Sequence, residues 1–152
     1  RALGIAVQES FGSFVAEVAE VSLDENRRPV IHKVTCAIDC GWAVNPDTIE
    51  AQVESGIIYG LTAAMYGEIT IENGQVVQGN FPEYEMIRMS TSPEIEVHII
   101  ESGEALGGLG EPATPPIAAA VTNAIYILTG QRVRNLPIKN HDFSENSPLA
   151  RV

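Results

Sequence analysis

Cations are scarce in this sequence. Nine Lys plus Arg stand against 20 Asp plus Glu in 152 residues, a formal net charge of −11. That balance argues against nucleic acid or an anionic membrane surface as partner, because phosphate neutralisation and counterion release both need Lys and Arg. An anionic ligand would have to be held by backbone N–H groups. Cysteine is nearly absent too, with only Cys36 and Cys40 present. On one strand they would share a face about 13 Å apart, too far to bridge. Without a second pair they make neither a zinc nor an iron–sulfur site. They read as small buried hydrophobes, which leaves the compartment open between cytoplasm and cell envelope. No apolar run approaches the roughly 20 residues of a membrane span, and the start does not resemble a signal peptide. Repeats and low-complexity segments are also missing. Arg1-Ala2-Leu3-Gly4 reads as the middle of something, so a leader or a whole domain is expected upstream.

What is present is a globular composition, 45% hydrophobic and 19% charged, with enough length to bury a core without disulfides. Ser13 to Ser22 alternates and predicts a half-buried strand, and Val30 to Asp39 predicts a second one rich in β-branched residues. The turn at Asp24-Glu25-Asn26 makes the two an antiparallel hairpin. Asn45 as N-cap and Pro46 as first residue open a helix with Ile49, Val53, Ile57, Leu61, Ala64 and Met65 on one face. Asn73-Gly74 marks a second hairpin between Gly67–Ile71 and Gln75–Gln78. Gly79 to Pro93 is irregular, and a loop of that length tends to line a ligand. Glu94 to Glu101 alternates as a further strand. A last helix is expected with Thr114 as N-cap and Pro115 as first residue, with Ile117, Val121, Ala124, Ile125 and Leu128 inward, stopping at Gly130. Arg132 to Pro137 could add an edge strand. The order is ββ–α–ββ–β–α, with an optional last β: an α+β fold of two layers, one sheet and two main helices. It occupies residues 1–138 and leaves 139–152 as a polar tail.

Two stretches stand out chemically. Gly107-Gly108-Leu109-Gly110-Glu111-Pro112 puts three glycines, which let backbone approach something bulky, directly before a carboxylate. Pro112 holds Glu111 extended, and a helix start follows. On the first helix, Gln52, Gly56 and Gly60 recur four apart. Glycine inside a helix costs about 1 kcal/mol relative to alanine, so this stripe serves either close packing or the approach of a ligand beside Gln52. His32, alone on its strand, reads as a surface or satisfied residue.

The run Asp39-Cys40-Gly41, Asn45-Pro46, Gln52-Val53-Glu54-Ser55-Gly56 and Gly60-Leu61, followed by Gly108-Leu109-Gly110-Glu111-Pro112, resembles the C-terminal part of molybdenum hydroxylase large subunits. This is the xanthine dehydrogenase and aldehyde oxidase family. The form Gly107 to Ile117 is most similar to its isoquinoline 1-oxidoreductase β-subunit branch. The likeness covers roughly Ala2 to Pro137 and implies the family's molybdenum cofactor-binding fold. It implies oxidation of an N-heterocycle or aldehyde with water-derived oxygen, and Glu111 as general base. It further implies molybdopterin with molybdenum, in its cytosine dinucleotide form, contacted by Gln52 and Gly56 and lined by Gly108, Leu109 and Gly110. Electrons would pass to [2Fe–2S] centres on an iron–sulfur small subunit. Ser55 departs from the family's usual glycine, and its hydroxymethyl would narrow the groove beside Gln52 or hydrogen-bond within it. Family large subunits are several times longer, so the implied partners include a missing N-terminal part of the large subunit, and the isolated chain is expected to be inactive.

A different reading makes this a non-catalytic interaction domain in which the glycines only pack and Glu111 is a surface acid. A nucleotide-binding module is disfavoured by the absence of Gly-x-Gly-x-x-Gly spacing and of the Lys-Ser/Thr of a P-loop.

Overall fold

The structure, a computed structural model, describes residues 1–144. In chain order the elements are β1 (Ala2–Ser10), β2 (Ser13–Leu23), β3 (Pro29–Asp39), α1 (Pro46–Tyr66), β4 (Ile71–Glu72), β5 (Gln75–Val76), β6 (Glu94–Ile100) and α2 (Pro116–Thr129). β1, β2, β3 and β6 form a four-stranded sheet in that order. β1–β2 and β2–β3 are antiparallel, whereas β6 returns parallel to β3 after the crossover through α1. β4 and β5 make a separate two-stranded hairpin. Both helices lie on one face of the sheet, so the α+β two-layer architecture expected from the sequence is the one found. Among the described residues no helix is long and apolar enough to cross a membrane.

The element not foreseen is β1. Its inward residues are Ala2, Gly4 and Ala6, while Leu3, Ile5 and Val7 face out. The usual alternation of large apolar inside and polar outside is therefore inverted, which removes the signal by which a half-buried strand is read. The small residues face inward because α2 lies tight on the strand: a Cβ at Gly4 would fall on the backbone of Ala120 and Ala124.

Elsewhere the chain follows its local signals. Asn45 accepts a hydrogen bond from the Thr48 N–H at 3.1 Å, and Pro46 begins α1. Ile49, Val53, Ile57, Leu61, Ala64 and Met65 are all buried. Asn73 and Gly74 turn at positive φ between β4 and β5, although each strand is only two residues long. α2 ends at Gly130 in the left-handed conformation. Cys36 and Cys40 are free and buried, and His32 Nε2 sits 2.7 Å from Ser22 Oγ.

Two expectations are corrected. The last helix starts at Pro116, with Pro115 in the capping position and no side-chain cap. With Thr114 as cap, Pro116 would stand at the second helical position, so one of the two N–H groups such a cap could bind does not exist. Residues 132–137 form no strand; they run irregularly through a cis Leu136–Pro137 bond into a 3-10 turn at Ile138–Asn140. Of the polar tail, residues 139–144 are described, and Phe143 is buried in the core; residues 145–152 lie outside the described residues.

The two glycines of α1 mark where the helices meet. A Cβ at Gly56 would stand 3.2 Å from Ala113 Cβ, and one at Gly60 would stand 2.4 Å from both the Thr114 carbonyl oxygen and Ile117 Cγ2. The close approach they permit is that of the segment opening α2.

One core residue is out of character. Glu17 lies on the inward face of β2, directly opposite Ala6 and Cys36, and is fully buried. Neither carboxyl oxygen has a hydrogen-bond partner among the described residues. No cation faces it from above, since neither the buried residues of α1 nor any residue of α2 is Lys, Arg or His. Burial raises its pKa from 4.5 to about 8, so at neutral pH it is a protonated, uncharged core group. The Cys36 thiol beside it is pushed up to about 12, mainly by burial and secondarily by Glu17.

Two predictions follow from the packing. Between pH 4.5 and 8 the folded chain holds a proton at Glu17 that the unfolded chain releases, so this group's contribution is fully present below that window and fades as pH rises through it. At 1.36 kcal/mol per unit the loss by pH 7 is on the order of 3 kcal/mol. Urea midpoints at pH 5, 7 and 8.5 should fall more steeply in the wild type than in Glu17→Gln; equal slopes would refute the assignment. Gly60→Ala should lower stability by about 1–3 kcal/mol, because displacing a backbone carbonyl outweighs the ~1 kcal/mol gained in helix propensity. Thermal melts of the two proteins read this directly.

Candidate functional site

The glycine loop crosses the end of the sheet where β3 stops and α1 starts. The Gly107 N–H donates to the Cys40 carbonyl at 3.0 Å, and the Gly108 N–H donates to the Phe11 carbonyl at 2.8 Å. Ser13 Oγ donates to the Gly108 carbonyl at 2.8 Å. From the helix side, Gln52 Nε2 donates to the Gly110 carbonyl. Glycine is required at Gly107, where a Cβ would lie 2.2 Å from Ser13 Oγ and 2.6 Å from the Gly12 carbonyl oxygen.

Glu111 follows as an exposed residue. Its carbonyl accepts the Thr114 N–H at 3.0 Å, closing a turn, and Pro112 and Ala113 behind it are buried. The backbone is therefore held on both sides of a carboxylate that has no hydrogen-bond or ion-pair partner among the described residues. A base placed in this way has an open lone pair and a fixed point of attachment.

Beside the loop lies an open cavity of about 430 Å³ lined by Trp42, Val44, Gln52, Leu106, Leu109 and Gly110, among others. Its walls are largely apolar, and no Lys or Arg lines it. Trp42, Val44 and Leu106 are 67, 80 and 67% exposed, unusual for side chains of their size. Cys40 also lines the cavity, with its thiol pKa raised chiefly by burial.

The structure brings Gln52, Leu109 and Gly110 together at this cavity, with Gly108 and Glu111 on the same loop. Gly56, one turn further along α1, is buried under Ala113 and Thr114 and does not line it. Ser55 lies elsewhere, in a surface depression with Glu54, Ser92 and Pro93, so its hydroxymethyl does not narrow the Gln52 groove. The Gly79–Pro93 loop is also elsewhere. It is fastened where the Ile87 N–H meets Thr62 Oγ1 at 3.3 Å, and Thr62 is about 15 Å along the helix from Gln52 at the usual rise per residue. Trp42, Val44, Leu106 and Ser13 were not singled out from sequence. The first three carried a readable signal, as large apolar residues in segments that form no regular element. Ser13 carried none.

The molybdopterin cofactor-binding domain family matches residues 6–93, a segment that includes Gln52 and Gly56 and stops short of the glycine loop. The isoquinoline 1-oxidoreductase β subunit of Brevundimonas diminuta is 36% identical over 139 residues, which is 91% of this chain and 18% of that protein. A putative xanthine dehydrogenase molybdenum-binding subunit of Escherichia coli is 33% identical over 79% of this chain and 17% of its own length. Among solved structures, quinoline 2-oxidoreductase of Pseudomonas putida superposes with a TM-score of 0.75 at 22% identity, over 83% of this chain and 17% of that one. The chain thus spans less than a fifth of the length of these relatives. By the family match and by these identities, it belongs to the molybdopterin cofactor-binding domain family of the molybdenum hydroxylase large subunits.

Proposed function

We propose that this chain forms part of the molybdopterin-binding subunit of a molybdenum hydroxylase that oxidises an N-heterocycle or aldehyde with water-derived oxygen, and that Glu111 is its general base. The observation that carries this reading is the hydrogen bond from Gln52 on α1 to Gly110 on the loop that ends in Glu111. It joins two motifs 58 residues apart into one wall.

The residues present fit one side of a site for molybdopterin. A flat, polar, anionic cofactor needs open backbone, an amide side chain and an apolar surface. Gly110 has nothing within 4 Å of where a Cβ would be, Gln52 supplies the amide, and Trp42 and Leu106 supply the apolar surface. When bound, the cofactor supplies two-electron redox chemistry at its molybdenum. The chain's own part is positional and acid–base. One N–H of Gln52 Nε2 is committed to Gly110, which fixes the direction of the amide and leaves its second N–H and Oε1 available. Glu111 takes up the proton released as oxygen is added to the substrate carbon, and the buried Pro112-Ala113 pair keeps it from swinging away. Leu109 and Gly110 would face the cofactor through their backbone, whereas both the N–H and the C=O of Gly108 are turned to the segment between β1 and β2.

The fuller assembly belongs to the same proposal. The remaining walls come from the rest of a large subunit, the cofactor is the cytosine dinucleotide form, and electrons leave through [2Fe–2S] centres on a small subunit. The isolated chain then encloses too little of the cofactor to hold it.

In the assembled enzyme, Glu111→Gln should cost at least about 10²-fold in kcat while molybdenum content is retained. Unchanged turnover would favour the non-catalytic interaction domain. Elemental analysis of the isolated chain should find no stoichiometric molybdenum, and a bound equivalent would contradict the partial-site reading.

A further inference from the structure

The two-residue turn between β1 and β2 places both Phe11 and Gly12 at positive φ, as tight hairpin turns do, a conformation that glycine favours and phenylalanine does not. Phe11 stands at a φ of 55°, although a bulky aromatic residue is rarely found in the left-handed region. Its ring gains little in return, being 66% exposed. Strain of this kind persists where the surroundings hold it in place, and it concentrates where a group must be aimed.

What the turn aims is two groups, both at Gly108. The Phe11 carbonyl accepts the Gly108 N–H at 2.8 Å, and Ser13 Oγ, on a fully buried residue, donates to the Gly108 carbonyl at 2.8 Å. Gly108 is thus gripped at both its N–H and its C=O. The fit is also steric: a Cβ at Gly108 would lie 2.8 Å from Phe11 Cβ. Between the end of β6 and Pro112 the chain has no regular structure, so its course is set by these few points of attachment. Without the turn, the remaining hydrogen bonds to residues 107–110 among the described residues are those with Cys40 and Gln52.

We propose that the β1–β2 turn is the seat of the glycine loop, and that Ser13 is a positioning residue whose hydroxyl fixes Gly108 and, three residues on, the carboxylate of Glu111. The seating stands on geometry alone, whereas its catalytic meaning rests on the function proposed above. An error of about 1 Å in the placement of a base is enough to cost a large part of its rate, so a single buried hydroxyl can govern turnover without touching substrate.

The test is hydrogen exchange on the full 152-residue chain, comparing Ser13→Ala with the wild type. Peptides covering residues 104–111 should exchange at least tenfold faster, while those from the β2–β3 ladder keep their wild-type rates. Ser13→Thr, which keeps the hydroxyl, should restore protection. Should Ser13→Ala fail to fold, Ser13→Cys, similar in size but a weaker donor, should give an intermediate loss confined to the same peptides. Unchanged exchange at the loop overturns the seat, and so does faster exchange spread evenly over the chain, the mark of an ordinary core residue. In the assembled enzyme, kcat of Ser13→Ala should fall about tenfold with KM and molybdenum content unchanged. A loosened loop combined with a fully active Glu111→Gln enzyme would keep the seat and remove the base assignment instead.

Discussion

The arrangement depends on how closely α2 begins against the middle of α1. Gly56 and Gly60 remove the side chains that would hold the helices apart, and Ala113, Thr114 and Ile117 fill the space. Because Thr114 is only three residues after Glu111, this contact also fixes the far end of the glycine loop. The near end is fixed on the sheet by Phe11, Ser13 and Cys40. Gln52 then closes the span one turn before Gly56, through Gly110. Packing glycines and site glycines are parts of one constraint: the first pair sets where the helix can start, and the loop glycines let the chain reach that point across the β1–β2 turn.

The core under this site is not optimised for stability. Glu17 occupies a central strand position with no partner for either oxygen, where an apolar residue of the same size would avoid desolvation altogether. Its neutral form is tolerated because no neighbouring charge favours ionisation. Unpartnered polar groups in a low-dielectric interior are costly, so the sheet carries this cost in the same strand whose Ser13 holds the loop. Both residues belong to the inward row of β2, and only one of them has found a partner.

Much of the fold was legible because local chemistry and tertiary demand agree. Asn45-Pro46, Asn73-Gly74 and Gly130 each punctuate the chain where their backbone preferences say they should. The face of α1 from Ile49 to Met65 is buried as its spacing predicts. What could not be read was set by neighbours distant in sequence. β1 is inverted because α2 presses on its inward face. The start of α2 shifted to Pro116, a residue with no N–H for a Thr114 cap to bind. The stripe Gln52, Gly56, Gly60 gave two possible meanings, and the structure divides it: the glycines meet a helix, whereas Gln52 reaches the loop. Trp42, Val44 and Leu106 became neighbours only when the segments after β3 and β6 were brought to one end of the sheet.

Charge limits what this wall can do. None of the residues lining the cavity is Lys or Arg, and the chain as a whole carries −11, so long-range attraction of an anionic cofactor is not among its contributions. What it can offer is shape, a few directed hydrogen bonds and one unpartnered carboxylate. Those are the properties wanted beside a reacting centre, where a base must keep its lone pair available; a nearby cation would stabilise the carboxylate and weaken it as a base. Holding an anion and keeping a carboxylate uncommitted are competing electrostatic demands, and this surface, with no Lys or Arg in the cavity lining, meets only the second.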